Sequence, residues 1–309
     1  MEPNQVSRTA FMTAYLRGYH AIYGNPKIFD DNRAWGMIPE QVKSVIEQHL
    51  AESARQMAPG NIDLEDHDLA LRAGVEFMAG AILARARYAE DLLAEAIQQG
   101  AKQYIVLGAG LDTFALRRQD LMEQLQVFEL DHPSTQELKH HMLIQQGISM
   151  PDNLHFVPVD FAVENLKQVM GRTSFDPQSL SFFSWLGVTH YLPLEAIFST
   201  LSNIAEISAP ATGIVFDYWD KAAFDPSKSS RRIKSILENT QRIGEPITTG
   251  FDPSTLKMDL ANLGLLLNEN LGPAAIRQRY FGGRSDGYSA SDHVNYAYAT
   301  VQERQPLNQ

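Results

Sequence analysis

Residues 104 to 112 read Tyr-Ile-Val-Leu-Gly-Ala-Gly-Leu-Asp, an apolar run that stops at Gly108-Ala109-Gly110. Such a run predicts a buried strand and a tight turn, because glycine adopts backbone angles a Cβ forbids and lets a ligand approach the main chain. A second apolar run, Val127 to Leu130, is interleaved with an acidic pair, Glu129 and Asp131. Strand, glycine turn and acid at that separation predict an α/β fold with a nucleotide-like cofactor across the first turn.

Further apolar segments arrive at intervals suited to a doubly wound sheet: His155 to Val159, Ser181 to Trp185, Gly213 to Tyr218, Gly264 to Leu267 and Val294 to Val301. The helical stretch 272 to 281 before the last of these is short for a parallel crossover, which needs about a dozen residues. The expectation is therefore α/β, a doubly wound seven-stranded, mostly parallel sheet with a reversed last strand. Ahead of it, segments 7 to 20 and 40 to 58 have helical patterning broken at Gly24-Asn25-Pro26, Ile38-Pro39 and Pro59-Gly60. They read as an N-terminal helical cap over 1–69, followed by the main domain over 70–303 and a tail over 304–309. A long helix from Asp68 to Gln99 leads into the glycine strand, and a stretch near 218–250, with Tyr218, Trp219, Phe224 and Phe251 about its ends, reads as a lid insertion.

The 26 basic and 37 acidic residues give a net charge of −11, which argues against a nucleic-acid partner. Arg231-Arg232 is the one basic cluster, and it reads as a solvated helix face. No stretch is apolar over the length a bilayer requires, so no membrane partner is expected. Cysteine is absent, which excludes thiolate catalysis and disulfides and fits a cytoplasmic setting. The nine histidines show no metal-ligand spacing.

A dinucleotide turn carries a third glycine where this chain has Thr113, and Asp112 inside the turn would repel a pyrophosphate. A carboxylate there can instead accept from the ammonium of an amino-acid-like ligand. On the second strand Glu129 and Asp131 share a side and one of them suits ribose hydroxyls, whereas Asp160 with Phe161 suits an adenine amine and its ring. Asp160 equally suits the cap of a helix running on through Glu164.

Four ordered motifs resemble the leucine carboxyl methyltransferase-like family of class I S-adenosylmethionine-dependent enzymes. They are Leu-Gly-Ala-Gly-Leu-Asp-Thr (107 to 113), Phe-Glu-Leu-Asp-His-Pro (128 to 133), Pro-Val-Asp-Phe (158 to 161) and Phe-Phe-Ser-Trp-Leu-Gly-Val-Thr-His-Tyr-Leu (182 to 192). The resemblance implies S-adenosyl-L-methionine as cofactor, with Arg85 on its carboxylate, Gly108, Ala109 and Gly110 at the turn, Asp131 at the ribose, and Asp160 and Phe161 at the adenine. Arg87 competes with Arg85. Where the family commonly has Glu facing the methionine portion, this chain has Leu186, and Asp112 or backbone carbonyls are the expected substitutes.

The resemblance implies an O-methyltransferase acting on a carboxylate or hydroxyl of a small-molecule acceptor. A carboxylate needs no base; a hydroxyl does, and His190 and Tyr191, after the fourth strand, are the residues placed for it. Methylation of a protein's terminal carboxylate, a non-catalytic regulatory relative that only holds the cofactor, and an NAD(P)-dependent oxidoreductase are the alternatives.

Overall fold

A computed structural model describes residues 7–57 and 65–303. The expected Pro59-Gly60 break and the tail 304–309 lie outside them. Among the described residues, seven strands form one sheet: β1 (Gln103–Leu107), β2 (Gln126–Asp131), β3 (Leu154–Pro158), β4 (Ser181–Trp185), β5 (Gly213–Trp219), β6 (Leu265–Leu271) and β7 (Val294–Val301). Their order is β3-β2-β1-β4-β5-β7-β6. The first five run parallel, and β7 enters antiparallel between β5 and β6, as the short helix Pro273–Phe281 predicts.

The cap comprises α1 (Arg8–Tyr23), α2 (Asn32–Gly36) and α3 (Glu40–Met57), which pack together and on α4 (His67–Gln98). Asp66 starts α4 by accepting the Asp68 and Leu69 amides, and Gly100, at φ 101°, lies just past its end. The helix buries Leu83, Ala84, Tyr88, Leu92 and Leu93, packing on β4 and β5. Each large apolar side chain so buried contributes on the order of 1.5–3 kcal/mol.

Alternation along β5 decides what faces α4. Ile214, Phe216 and Tyr218 join the core on one side of the sheet, while Val215 and Trp219 join the core on the other, with α4. Asp217 lies between those two in register, so its carboxylate points toward α4.

One local expectation is corrected. No helix runs from Asp160 through Glu164: the Asp160 carboxylate accepts the Ala162 amide at 2.9 Å to close a turn, and the next helix starts at Leu166 under its own cap, Asn165. Its two-residue reach suits an Asx turn better than a helix start. The Arg231-Arg232 expectation also holds only in part. Arg231 is exposed, but Arg232 stacks on the Phe77 ring at 4.5 Å and donates to the Phe77 carbonyl on α4.

Candidate active site

The parallel strands bring their C-terminal ends to one edge, and the groups singled out above converge there. At the end of β1, Gly108 (φ 72°) and Gly110 (φ 52°) take left-handed conformations. A Cβ on Gly108 would fall 2.2 Å from Val188 Cγ2, so only glycine fits between the turn and the loop after β4. The Gly108 and Ala109 amides donate to the Leu130 carbonyl at 2.8 and 3.0 Å, fastening the turn to β2.

Of the two acids on β2, Asp131 faces the turn. Its Oδ2 accepts the Gly110 amide at 2.5 Å and its Oδ1 the His132 amide at 2.6 Å. Burial raises its pKa, and those two amide donors oppose the rise. Two of roughly four lone-pair positions remain for a ligand's hydroxyls. Glu129 is directed elsewhere: buried, it pairs with the equally buried Lys139, and burial pushes its pKa up to about 7 against that lysine's pull. Asp112 spends one oxygen on the Phe114 amide at 2.7 Å.

At the end of β3, Asp160 is half-buried and Phe161 packs 6.0 Å from Trp185. On α4 the two arginines separate cleanly. Arg87 is exposed and pairs with Asp91 one turn on, whereas Arg85 points inward and donates from Nη1 to Asp217 Oδ2 at 2.8 Å. The guanidinium lies where a side chain at position 187 would stand, 2.4 Å from the Cβ that Gly187 lacks. Sequence reasoning missed Asp217; the signal was a lone carboxylate inside the apolar strand Gly213 to Trp219.

His190 and Tyr191 sit beside this pair, ring to ring at 4.2 Å. His190 is 4% exposed, its Nδ1 has no hydrogen-bond partner among the described residues, and burial lowers its pKa to about 4. Burial raises the Tyr191 phenol to about 12. Both are therefore neutral at pH 7.

The roof is made by the cap and the insertion. Ala10 of α1 lies 3.3 Å from where a Gly110 Cβ would be, and Arg17 donates to the Leu111 carbonyl at 2.7 Å. Glu245 accepts the amides of Arg8 (2.6 Å) and Thr9 (3.2 Å) and the Thr9 hydroxyl (2.6 Å), tying the insertion to the start of α1. The amides of Thr248 and Thr249 reach the His190 carbonyl at 2.9 and 3.2 Å. The loop 284–289, by contrast, packs on the cap, with Arg284 on the Pro26 carbonyl and Tyr288 edge-on to His20.

These groups fit S-adenosylmethionine by their chemistry: a guanidinium for a carboxylate, a glycine turn for close approach, an acid facing hydroxyls, and an acid beside an aromatic ring for a purine. With the sheet order, they define a class I methyltransferase. The sequence model of the leucine carboxyl methyltransferase family matches residues 10–205. The chain belongs to that family of S-adenosylmethionine-dependent enzymes.

Among its relatives is YktD of Bacillus subtilis, itself named provisionally as an S-adenosyl-L-methionine-dependent methyltransferase, 34% identical over 97% of this chain and 99% of that protein. Two solved structures share the fold. A DUF574 family protein from Streptomyces avermitilis aligns at TM-score 0.55, 11% identity, over 82% of this chain and 96% of that one. A protein from Thermobifida fusca, provisionally named a methyltransferase, aligns at TM-score 0.53, 13% identity, over 93% and 94%.

Proposed function

We propose that the chain transfers the methyl group of S-adenosylmethionine to a carboxylate oxygen of a small organic acid. The observation that carries this reading is the pairing of a roofed site with two neutral side chains. His190 and Tyr191, titrating near 4 and 12, offer no strong base at pH 7, so an acceptor already ionised is favoured. Arg85 would hold the cofactor carboxylate, Gly108, Ala109 and Gly110 admit its backbone-facing side, Asp131 accept its ribose hydroxyls, and Asp160 with Phe161 receive its adenine. Bound, the cofactor supplies an electrophilic methyl on a sulfonium. The protein aligns the acceptor with that carbon and excludes water, which the contacts of Thr9, Glu245 and Thr248 with one another's elements support. The acceptor oxygen gains the methyl, the carbon–sulfur bond breaks, and a methyl ester and S-adenosylhomocysteine leave.

A second reading has its own support. It draws on the His190 Nδ1, which has no hydrogen-bond partner among the described residues and would accept the proton of an acidic hydroxyl such as a phenol, as a weak base whose pKa burial lowers. The ties between the cap and the insertion over the strand ends favour a small acceptor over a protein terminus, and the reversed β7 disfavours a nicotinamide enzyme. The test is mass spectrometry of S-adenosylmethionine incubations with a panel of small carboxylic acids and phenols. Methyl esters are expected; methyl ethers alone would favour the second reading, and tight S-adenosylhomocysteine binding without any transfer would favour a regulatory protein.

A further inference from the structure

Asp217 is wholly buried at the C-terminal end of β5 and has three separate engagements. Its Oδ2 takes Arg85 Nη1 at 2.8 Å, its Oδ1 takes the Gly187 amide at 2.6 Å, and its backbone carbonyl takes the Thr189 hydroxyl at 2.7 Å. It therefore joins α4, the turn after β4 and the segment carrying His190. A carboxylate in a strand core is costly to bury, and a single counter-charge seldom offsets the cost as well as an apolar side chain would. The pairing gains instead in geometry: one oxygen fixes the guanidinium while the other fixes the loop against which that guanidinium lies.

Gly187 completes the arrangement. At φ 74° and without a Cβ, it leaves room for the Arg85 guanidinium at a distance no other residue type would allow. Arg85 itself remains 14% exposed, with further N–H donors left after the one given to Asp217. The acid is sealed, and the base retains an outlet.

We propose that Asp217 is a positioning residue for the cofactor's amino-acid half: through Arg85 and the Gly187 amide it presets the guanidinium that grips the α-carboxylate. The proposal rests on the cofactor reading above. It predicts a selective defect, because a group acting through Arg85 affects only ligands that carry a carboxylate.

The test compares two ligands by calorimetry, S-adenosylhomocysteine and 5′-methylthioadenosine, which lacks the amino-acid group. In the wild type the first binds more tightly. Asp217→Asn is expected to weaken S-adenosylhomocysteine about 10- to 100-fold while leaving methylthioadenosine within about 3-fold, and Arg85→Met to do the same with no further loss in the double variant. Equal weakening of both ligands, or no change in either, overturns the proposal. Should Asp217→Asn fail to fold, Gly187→Ala pushes the guanidinium off Asp217 with the acid in place, and the same selectivity is expected of it; equal weakening again overturns the proposal. Wild-type protein that binds neither ligand would refute the cofactor reading itself.

Discussion

The Thr113 hydroxyl donates to the Asp31 carboxylate at 2.6 Å, so the residue standing in place of a third turn glycine anchors the cap. Asp31 is 1% exposed and also receives Arg17 at 2.8 Å and Arg117 at 3.5 Å. Burial alone would raise its pKa, but the two arginines and the threonine outweigh it and hold the carboxyl below its usual range. Stability from a depressed acid is present at neutral pH and lost as pH falls through the folded pKa.

Thr113→Val keeps the shape and removes one donor to a buried acid. A loss of about 1–3 kcal/mol is expected, read as a shift in the urea midpoint, with faster proteolysis of the cap. An unchanged midpoint would show that Arg17 and Arg117 suffice.

Gly108→Ala meets both a positive φ and Val188 Cγ2. A loss of at least about 1–2 kcal/mol and of S-adenosylhomocysteine binding is expected. Adding Val188→Ala should recover the steric part alone, so partial recovery of the melting temperature is the outcome to look for.

Leu186→Glu restores an acid next to Gly187 in sequence. Because Asp112 gives only one carboxylate oxygen to the Phe114 amide and keeps the other as an acceptor, cofactor affinity should stay within about threefold by calorimetry. Tightening of tenfold or more would show a missing acceptor that nothing replaces.

His190 and His20 are buried, and burial lowers both pKa values to about 4; Arg284 reinforces the effect at His20, whose Nε2 accepts the Ile28 amide at 2.8 Å. Their folded pKa lies below the unfolded value, so the unfolded chain binds more protons between about 4 and 6.5. Their contribution is complete above that window and fades as pH falls through it. Glu129, raised to about 7, acts oppositely, its contribution fading as pH rises from 4.5. Melting curves for His20→Gln should therefore show less destabilisation between pH 6.5 and 4 than the wild type shows.

All seven strands were legible because each contains a mainly apolar run, even where a single polar or acidic residue such as Glu129 or Asp217 interrupts it. The exception in length is β6, which runs on to Leu271 through Asn268, Glu269 and Asn270; an edge strand leaves one side to solvent, and its polar residues disguise it. The glycine turn and Asp131 were legible from spacing. What spacing could not convey was pairing across the fold: that Lys139 would take up Glu129, that Asp31 would meet Thr113, or that Asp217 would meet Arg85, 132 positions away.

The placement of β7 bears on how the molecule is made. The residues assigned to the cofactor are all in hand by residue 161, yet the sheet beneath them has its fifth strand flanked on both sides only when residues 294–301 thread between β5 and β6. During synthesis, an emerging chain would carry every cofactor motif with one long β edge bare, open to pairing with a neighbour. Because β7 is the last strand in the sequence and lies between β5 and β6, the sheet cannot be completed before residues 294–301 have been made.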